Sequence, residues 1–219
     1  ESIKKGDPLR QKGKVSELAL GYQGGPGALK AMGALDMGID ESELQGLVDS
    51  WRKANPNIVN FWKACQDAAI KTVETRQRHK THGLTFYMNK GFLMIELPSG
   101  RALAYPKARL GENDWGAPVV NFMGLDLNRK WTKLSTYGGK LVENIVQATA
   151  RDLLAISMYR IEHAGFQIVG HVHDELIVEV PVRSNGLEKI EKLMSKPVEW
   201  AKGLNLNSDG FTSPFYMKD

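Results

Sequence analysis

The residues best equipped for chemistry in this 219-residue chain fall into two groups. The first lies in Phe166–Pro181, FQIVGHVHDELIVEVP, whose apolar halves read as two short strands meeting at a tight turn that carries His173, Asp174 and Glu175. Two adjacent carboxylates at a hairpin tip are costly to leave unpaired and call for a cation. Stiff apolar flanks suit a site that must place a metal ion. The second group is Arg10, Lys14, Leu18 and Tyr22, which recur every four residues. On a helix they form one gently winding stripe about 18 Å long, at ~1.5 Å rise per residue. Two cations near a helix N-terminus, an aliphatic residue and a ring follow the order phosphates, sugar and base of a nucleoside triphosphate. Each pattern also has a plain reading. Acidic turns are common in solvent, and an amphipathic helix with Val15, Leu18, Ala19 and Tyr22 toward a core has the same spacing.

The elements that must hold these groups follow from local signals. Asp7-Pro8 predicts a helix start, with the helix running through Tyr22 to a stop at Gly24-Gly25-Pro26. Residues 27–54 predict two helices, the second with a capping box of Asp40 and Glu43. Asn55-Pro56 opens a further helix, NIVNFWKACQDAAIKTVET, over Asn57–Thr75, whose end is basic: Lys71, Arg76, Arg78 and Lys80, with His79 and His82. That end suits a nucleic-acid backbone or a solvated helix terminus equally. From Leu84 the period changes to strands at LTFYMN, FLMIELP and RALAYP, with another at Val119–Met123 and loops expected over Asn113–Pro118 and Gly124–Lys133. Lys140–Ala164 reads as a long helix, apolar around most of its circumference. A polar line of Glu143, Gln147 and Arg151, flanked by Asn144, fits either a groove lining or a surface face. After the hairpin come a helix at Leu187–Met194 and an edge strand at Phe211–Met217.

Composition bounds the class. The apolar content supports a buried core, and the net charge of +4 with pI ≈ 9.0 fits an anionic partner. A single cysteine, Cys65, excludes an intramolecular disulfide and points to a reducing compartment. No apolar run is long enough to span a membrane, and no signal peptide is visible.

Three segments together resemble the C-terminal part of the family A DNA polymerases, the bacterial DNA polymerase I type, and especially their phage-encoded members. Arg10-x3-Lys14-x3-Leu18-x3-Tyr22 followed by Gln23-Gly24-Gly25 is similar to the fingers helix, motif B. Gln147-Ala148-Thr149-Ala150-Arg151-Asp152 is similar to the palm helix beside the primer–template groove, and Val172-His173-Asp174-Glu175 to the motif C hairpin. Order and spacing agree over nearly the whole chain. The resemblance implies an α+β fold, with a helical fingers subdomain over residues 1–82 and the C-terminal part of a palm with an antiparallel sheet over residues 83–219. It implies template-directed addition of deoxynucleotides to a primer 3′-OH with two Mg²⁺ ions. The partners would be primer–template DNA and deoxynucleoside triphosphates. Arg10 and Lys14 would hold the triphosphate, Leu18 would lie near the sugar, and Tyr22 would guard the template-base position. Asp174 would bind Mg²⁺ with Glu175 beside it as the catalytic pair. His173 would touch the primer end and Gln147 the duplex minor groove, with Arg151 a further nucleic-acid contact.

Two positions depart from the family pattern. Leu18 stands where the family usually carries Phe or Tyr, a position tied to the choice between deoxy and dideoxy sugars. The family's other metal-binding aspartate, in motif A, lies upstream of the fingers helix and has no counterpart in this sequence. The chain alone is therefore expected to be inactive and to work with an N-terminal segment carrying motif A, in the cytoplasm of a bacterium or phage-infected cell and away from membranes. Two other readings remain: a non-catalytic nucleic-acid-binding module or subunit of a split polymerase, and a metal-dependent hydrolase built on His171-x-His173-Asp174, whose two histidines would share a strand face.

Overall fold

The computed structural model describes residue 4, residues 7–182 and residues 184–217; the remaining opening residues of the sequence lie outside this set. The architecture is α+β, with helices and three small antiparallel sheets. Contacts divide the chain into two compact units, residues 1–97 with 102–145, and residues 98–101 with 146–219.

In the first unit, α1 (Pro8–Leu20) starts where Asp7 accepts the Leu9 N–H at 2.8 Å. It ends two residues earlier than expected because Gly21 caps it, after which Gln23 takes φ 70°. Gly24 then passes so close to the helix that a Cβ would stand 1.9 Å from the Ala19 carbonyl oxygen, so only glycine fits. α2 (Pro26–Ala31) and α3 (Leu44–Ala54) follow. The predicted capping box at Asp40 and Glu43 is formed, on a short 3₁₀ turn leading into α3. Ala19, Leu20, Leu29, Ala34, Leu44 and Val48 make a small core there, with Trp51 against it.

α4 (Pro56–Thr75) stops at Arg76, whose φ of 62° breaks the helix. The helix thus ends at Thr75, as expected, and among the basic residues beyond it His79–Thr81 forms a strand that was not expected, β1. It pairs with β2 (Leu84–Asn89), β3 (Phe92–Glu96) and β4 (Ala102–Tyr105) in the order β1-β2-β3-β4. The register sets Phe86 opposite Ile95 and Met88 opposite Leu93, so one face is continuously apolar, and this sheet packs on α4.

β5 (Arg109–Glu112), β6 (Pro118–Leu125) and β7 (Trp131–Thr136) form a second sheet. Only the middle strand was expected, and it extends further than expected. β7 replaces part of the loop assigned to Gly124–Lys133, because its alternation of exposed and inward residues leaves one face in solvent and blurs the apolar signal.

α5 (Gly138–His163) is the expected long helix, and the division between units falls within it. In the second unit, β8 (Gln167–Val172) and β9 (Glu175–Glu179) form the expected hairpin, and α6 (Gly186–Met194) follows. The strand expected at Phe211–Met217 is not formed. Pro214 removes a ladder donor, and the chain bends at 214–215.

Candidate functional site

On α1 the residues of the stripe lie mostly in the open. Val15, Ala19 and Leu20 face the core, whereas Arg10, Lys14 and Leu18 are exposed, Leu18 by 50%, and Tyr22 is half-buried. An amphipathic helix that merely buried Leu18 would look different. The cations stand near an N-terminus whose dipole favours anions.

Three contacts fix the end of this helix. Trp62, buried on α4, donates Nε1–H to the Gly21 carbonyl at 3.1 Å. The Trp51 Nε1–H reaches Glu17 Oε1 at 2.9 Å, and the Arg52 guanidinium donates to the Gly24 carbonyl at 3.2 Å. The two indoles stack, with centroids 5.9 Å apart and planes 8° from parallel.

Sequence reasoning missed the next layer. The first backbone N–H groups of α5 need acceptors, as at any helix start. Gly138 N–H donates to Gln66 Oε1 at 2.9 Å and Gly139 N–H to Gln23 Oε1 at 2.8 Å. The approach is so close that a Cβ on Gly139 would lie 2.2 Å from the Tyr22 carbonyl oxygen, and one on Gly138 2.3 Å from that of Trp62. Tyr22 and Gln23 are thus clasped by the start of α5. A glycine pair opening a helix was the only hint in the sequence that neighbours must come this near.

In the second unit, Gln147 and Arg151 lie on an exposed line of α5, one turn apart. The Arg151 guanidinium rests against the His171 imidazole, with nitrogen separations of 3.3 and 3.4 Å, which ties the polar line of the helix to strand β8. The same helix is tied to residues 98–101 through its own Asp152. Its carboxylate accepts from Ser99 Oγ at 2.5 Å and from Arg101 Nε at 2.6 Å, while Arg101 also donates to the Ala148 carbonyl at 2.8 Å.

At the hairpin tip, Val172 pairs with Glu175, leaving His173 and Asp174 as a two-residue turn. His173 takes φ 51°, a conformation costing about 1 kcal/mol or more outside glycine, of the kind that gathers at functional sites. The His173, Asp174 and Glu175 side chains are all exposed. Val169 is an extra residue in β8, a bulge that bends the strand toward its tip.

This placement corrects the hydrolase geometry. His171 is in the strand but His173 is in the turn, so the two do not alternate along one face, and His171 is already engaged by Arg151. Among the described residues, no group of three His, Cys, Asp or Glu side chains could hold a metal ion. Asp174 and Glu175 are hard oxygen donors of the sort Mg²⁺ takes, but two carboxylates do not complete a site. Among the described residues, no helix is long and apolar enough to cross a membrane.

No protein-family model and no solved structure matches the chain. Over 221 residues the chain is 55% identical to a DNA polymerase of Bacillus phage SP02, an alignment that covers 100% of this chain and 34% of that protein. The chain therefore spans about a third of the length of the relative it matches.

Proposed function

We propose that this chain is the C-terminal part of a family A DNA polymerase, with fingers over residues 1–82 and the C-terminal palm over residues 83–219. The observation that carries the reading is the exposed stripe of Arg10, Lys14 and Leu18, ending at a clasped Tyr22, in a chain similar along its whole length to a phage DNA polymerase.

In this reading Arg10 and Lys14 bind the triphosphate of the incoming deoxynucleotide. Their charges hold the pyrophosphate leaving group as the primer 3′-oxygen displaces it from the α-phosphate. Leu18 packs near the sugar and Tyr22 covers the template-base position. Gln147 and Arg151 contact the duplex, and His173 the primer end. Asp174 and Glu175 are this chain's share of the ligands for two Mg²⁺ ions, which in the complete centre neutralise phosphate charge. Because that share is too small to close a site, the isolated chain does not extend primers and requires a segment bearing the remaining carboxylate, as the motif A aspartate would. A non-catalytic nucleic-acid-binding subunit is the competing reading, favoured by the same shortage of ligands.

Primer extension separates them. Chain 1–219 alone should show no extension. Mixed with the segment that precedes the matching region in the phage relative, it should extend, and Asp174→Asn should abolish extension while duplex binding stays within about twofold. Robust extension by the isolated chain, or full activity of Asp174→Asn in the mixture, would overturn the assignment.

A further inference from the structure

The β5–β6–β7 sheet belongs to none of the elements assigned above, and it presents a face with its own chemistry. Register places Arg109, Asn121 and Ser135 in one row across the three strands, Met123 beside Lys133 in the next, and Leu125 beside Trp131 in the last. These residues share a face, because directly opposed residues in an antiparallel ladder point the same way. The opposite face is packed: Val120 and Thr136 are buried, and Phe122 meets Tyr105 edge to face at 5.0 Å.

The half of the outward face nearest the β6–β7 turn is open. Trp131 is 56% exposed and Leu125 62%. Arg109 and Lys133 are exposed on the same face, which carries no Asp or Glu from any of the three strands. At the adjoining turn Asp126 is occupied with the backbone, accepting the N–H groups of Asn128 and Lys130 at 2.9 and 2.8 Å. Arg129 and Lys130 remain exposed beside it. The three rows cover about 13 Å along the strands and the outer strands lie about 10 Å apart.

We propose that this open sheet face binds single-stranded nucleic acid, with a base stacked on Trp131 and the backbone held by Arg109 and Lys133. Three features select that occupant. A face with cations and no carboxylate complements a polyanion. An indole lying free on a sheet offers the flat surface that unpaired bases stack on, whereas bases within a duplex have no free π-face to offer. The interleaving of charge with apolar residues differs from the charge-depleted centre of a protein–protein interface. The inference does not rest on the polymerase reading, since it uses neither α1 nor the acidic hairpin.

The test is fluorescence anisotropy of the 219-residue chain with a fluorescein-labelled 16-mer of deoxythymidine at low salt. Trp131→Ala should weaken binding about tenfold, and Trp131→Phe should retain most of it. Arg109→Gln and Lys133→Gln should each lower the slope of log affinity against log salt by about 0.7. Ultraviolet cross-linking to a bromodeoxyuridine oligonucleotide should mark the peptide containing Trp131, and circular dichroism checks that each variant is folded. Unchanged affinity in folded Trp131→Ala and Lys133→Gln, or cross-links confined to other peptides, would overturn the proposal. So would a dimer that Trp131→Ala dissolves without affecting oligonucleotide binding. The Asp174→Asn extension assay probes another surface, so either result can fail alone.

Discussion

Gly139→Ala tests the clasp between Tyr22 and α5 most sharply, because a steric cost there opposes and outweighs the usual gain from replacing a helical glycine. Replacing a helical glycine ordinarily stabilises a protein by about 0.4–1 kcal/mol through the unfolded chain. At Gly139 the new Cβ would sit 2.2 Å from the Tyr22 carbonyl oxygen, 2.6 Å from its carbonyl carbon and 2.5 Å from Gln23 Cβ. Unstrained carbon contacts lie near 3.5–4.0 Å, and two of these atoms are backbone, so the segments must separate by roughly 1 Å. Overpacking of this kind costs about 1–3 kcal/mol. Loss of the 2.8 Å bond from Gly139 N–H to Gln23 adds about 1 kcal/mol. The net expectation is a destabilisation of about 1–3 kcal/mol, or a fall in Tm of roughly 3–10 °C for a chain of this length. Gly46 supplies the control: it lies within α3 with nothing within 4 Å of its added Cβ, so Gly46→Ala should raise Tm by about 1–4 °C. Thermal unfolding followed by circular dichroism reads both. If Gly139→Ala is as stabilising as Gly46→Ala, the clasp does not exist as described.

Three further expectations follow from other parts of the chain. Asp152→Ala leaves Arg101 and Ser99 without their acceptor, the carboxylate being only 12% exposed, and should cost about 1–3 kcal/mol by urea denaturation. Burial pushes the Cys65 thiol up to about 12. The unfolded chain therefore loses that proton from about pH 9 while the folded chain keeps it, so stability should decline between pH 9 and 12 and be undiminished below; Cys65→Ala should flatten that decline. Folded protein should accordingly resist thiol reagents at pH 8 and react only once unfolded. His173→Gly removes a side chain from a positive-φ turn position and should leave Tm unchanged or raise it by a few degrees, with a fall in primer-extension rate in the mixed assay; a marked loss of Tm would count against strain at this residue.

What the sequence revealed was local. Asp7-Pro8, the Asp40 capping box, Asn55-Pro56 and the hairpin around Asp174 each declare themselves within a few residues, and each is formed. The openness of the Arg10–Lys14–Leu18 stripe needed the fold, since its period fits a buried or an open face. Long-range contacts were invisible for a different reason. Gln23 serves Gly139 from 116 positions away, Gln66 serves Gly138 from 72, and Arg101 meets Asp152 from 51. A glutamine carries no mark of the amide it will accept. Strand β7 was lost because a sheet with one wet face spreads its apolar residues too thinly to stand out from a loop.

The extra residue at Val169 lets β8 change phase halfway along its length. Ile168 stands opposite Val178 and Gly170 opposite Ile177, so residues two apart in β8 accompany neighbours that point to opposite sides. Removing Val169 would leave those partners matched and every remaining side chain on its present face, and would cost the strand only its local bend and added twist. What one surplus residue governs is therefore the angle at which the acidic tip is held out.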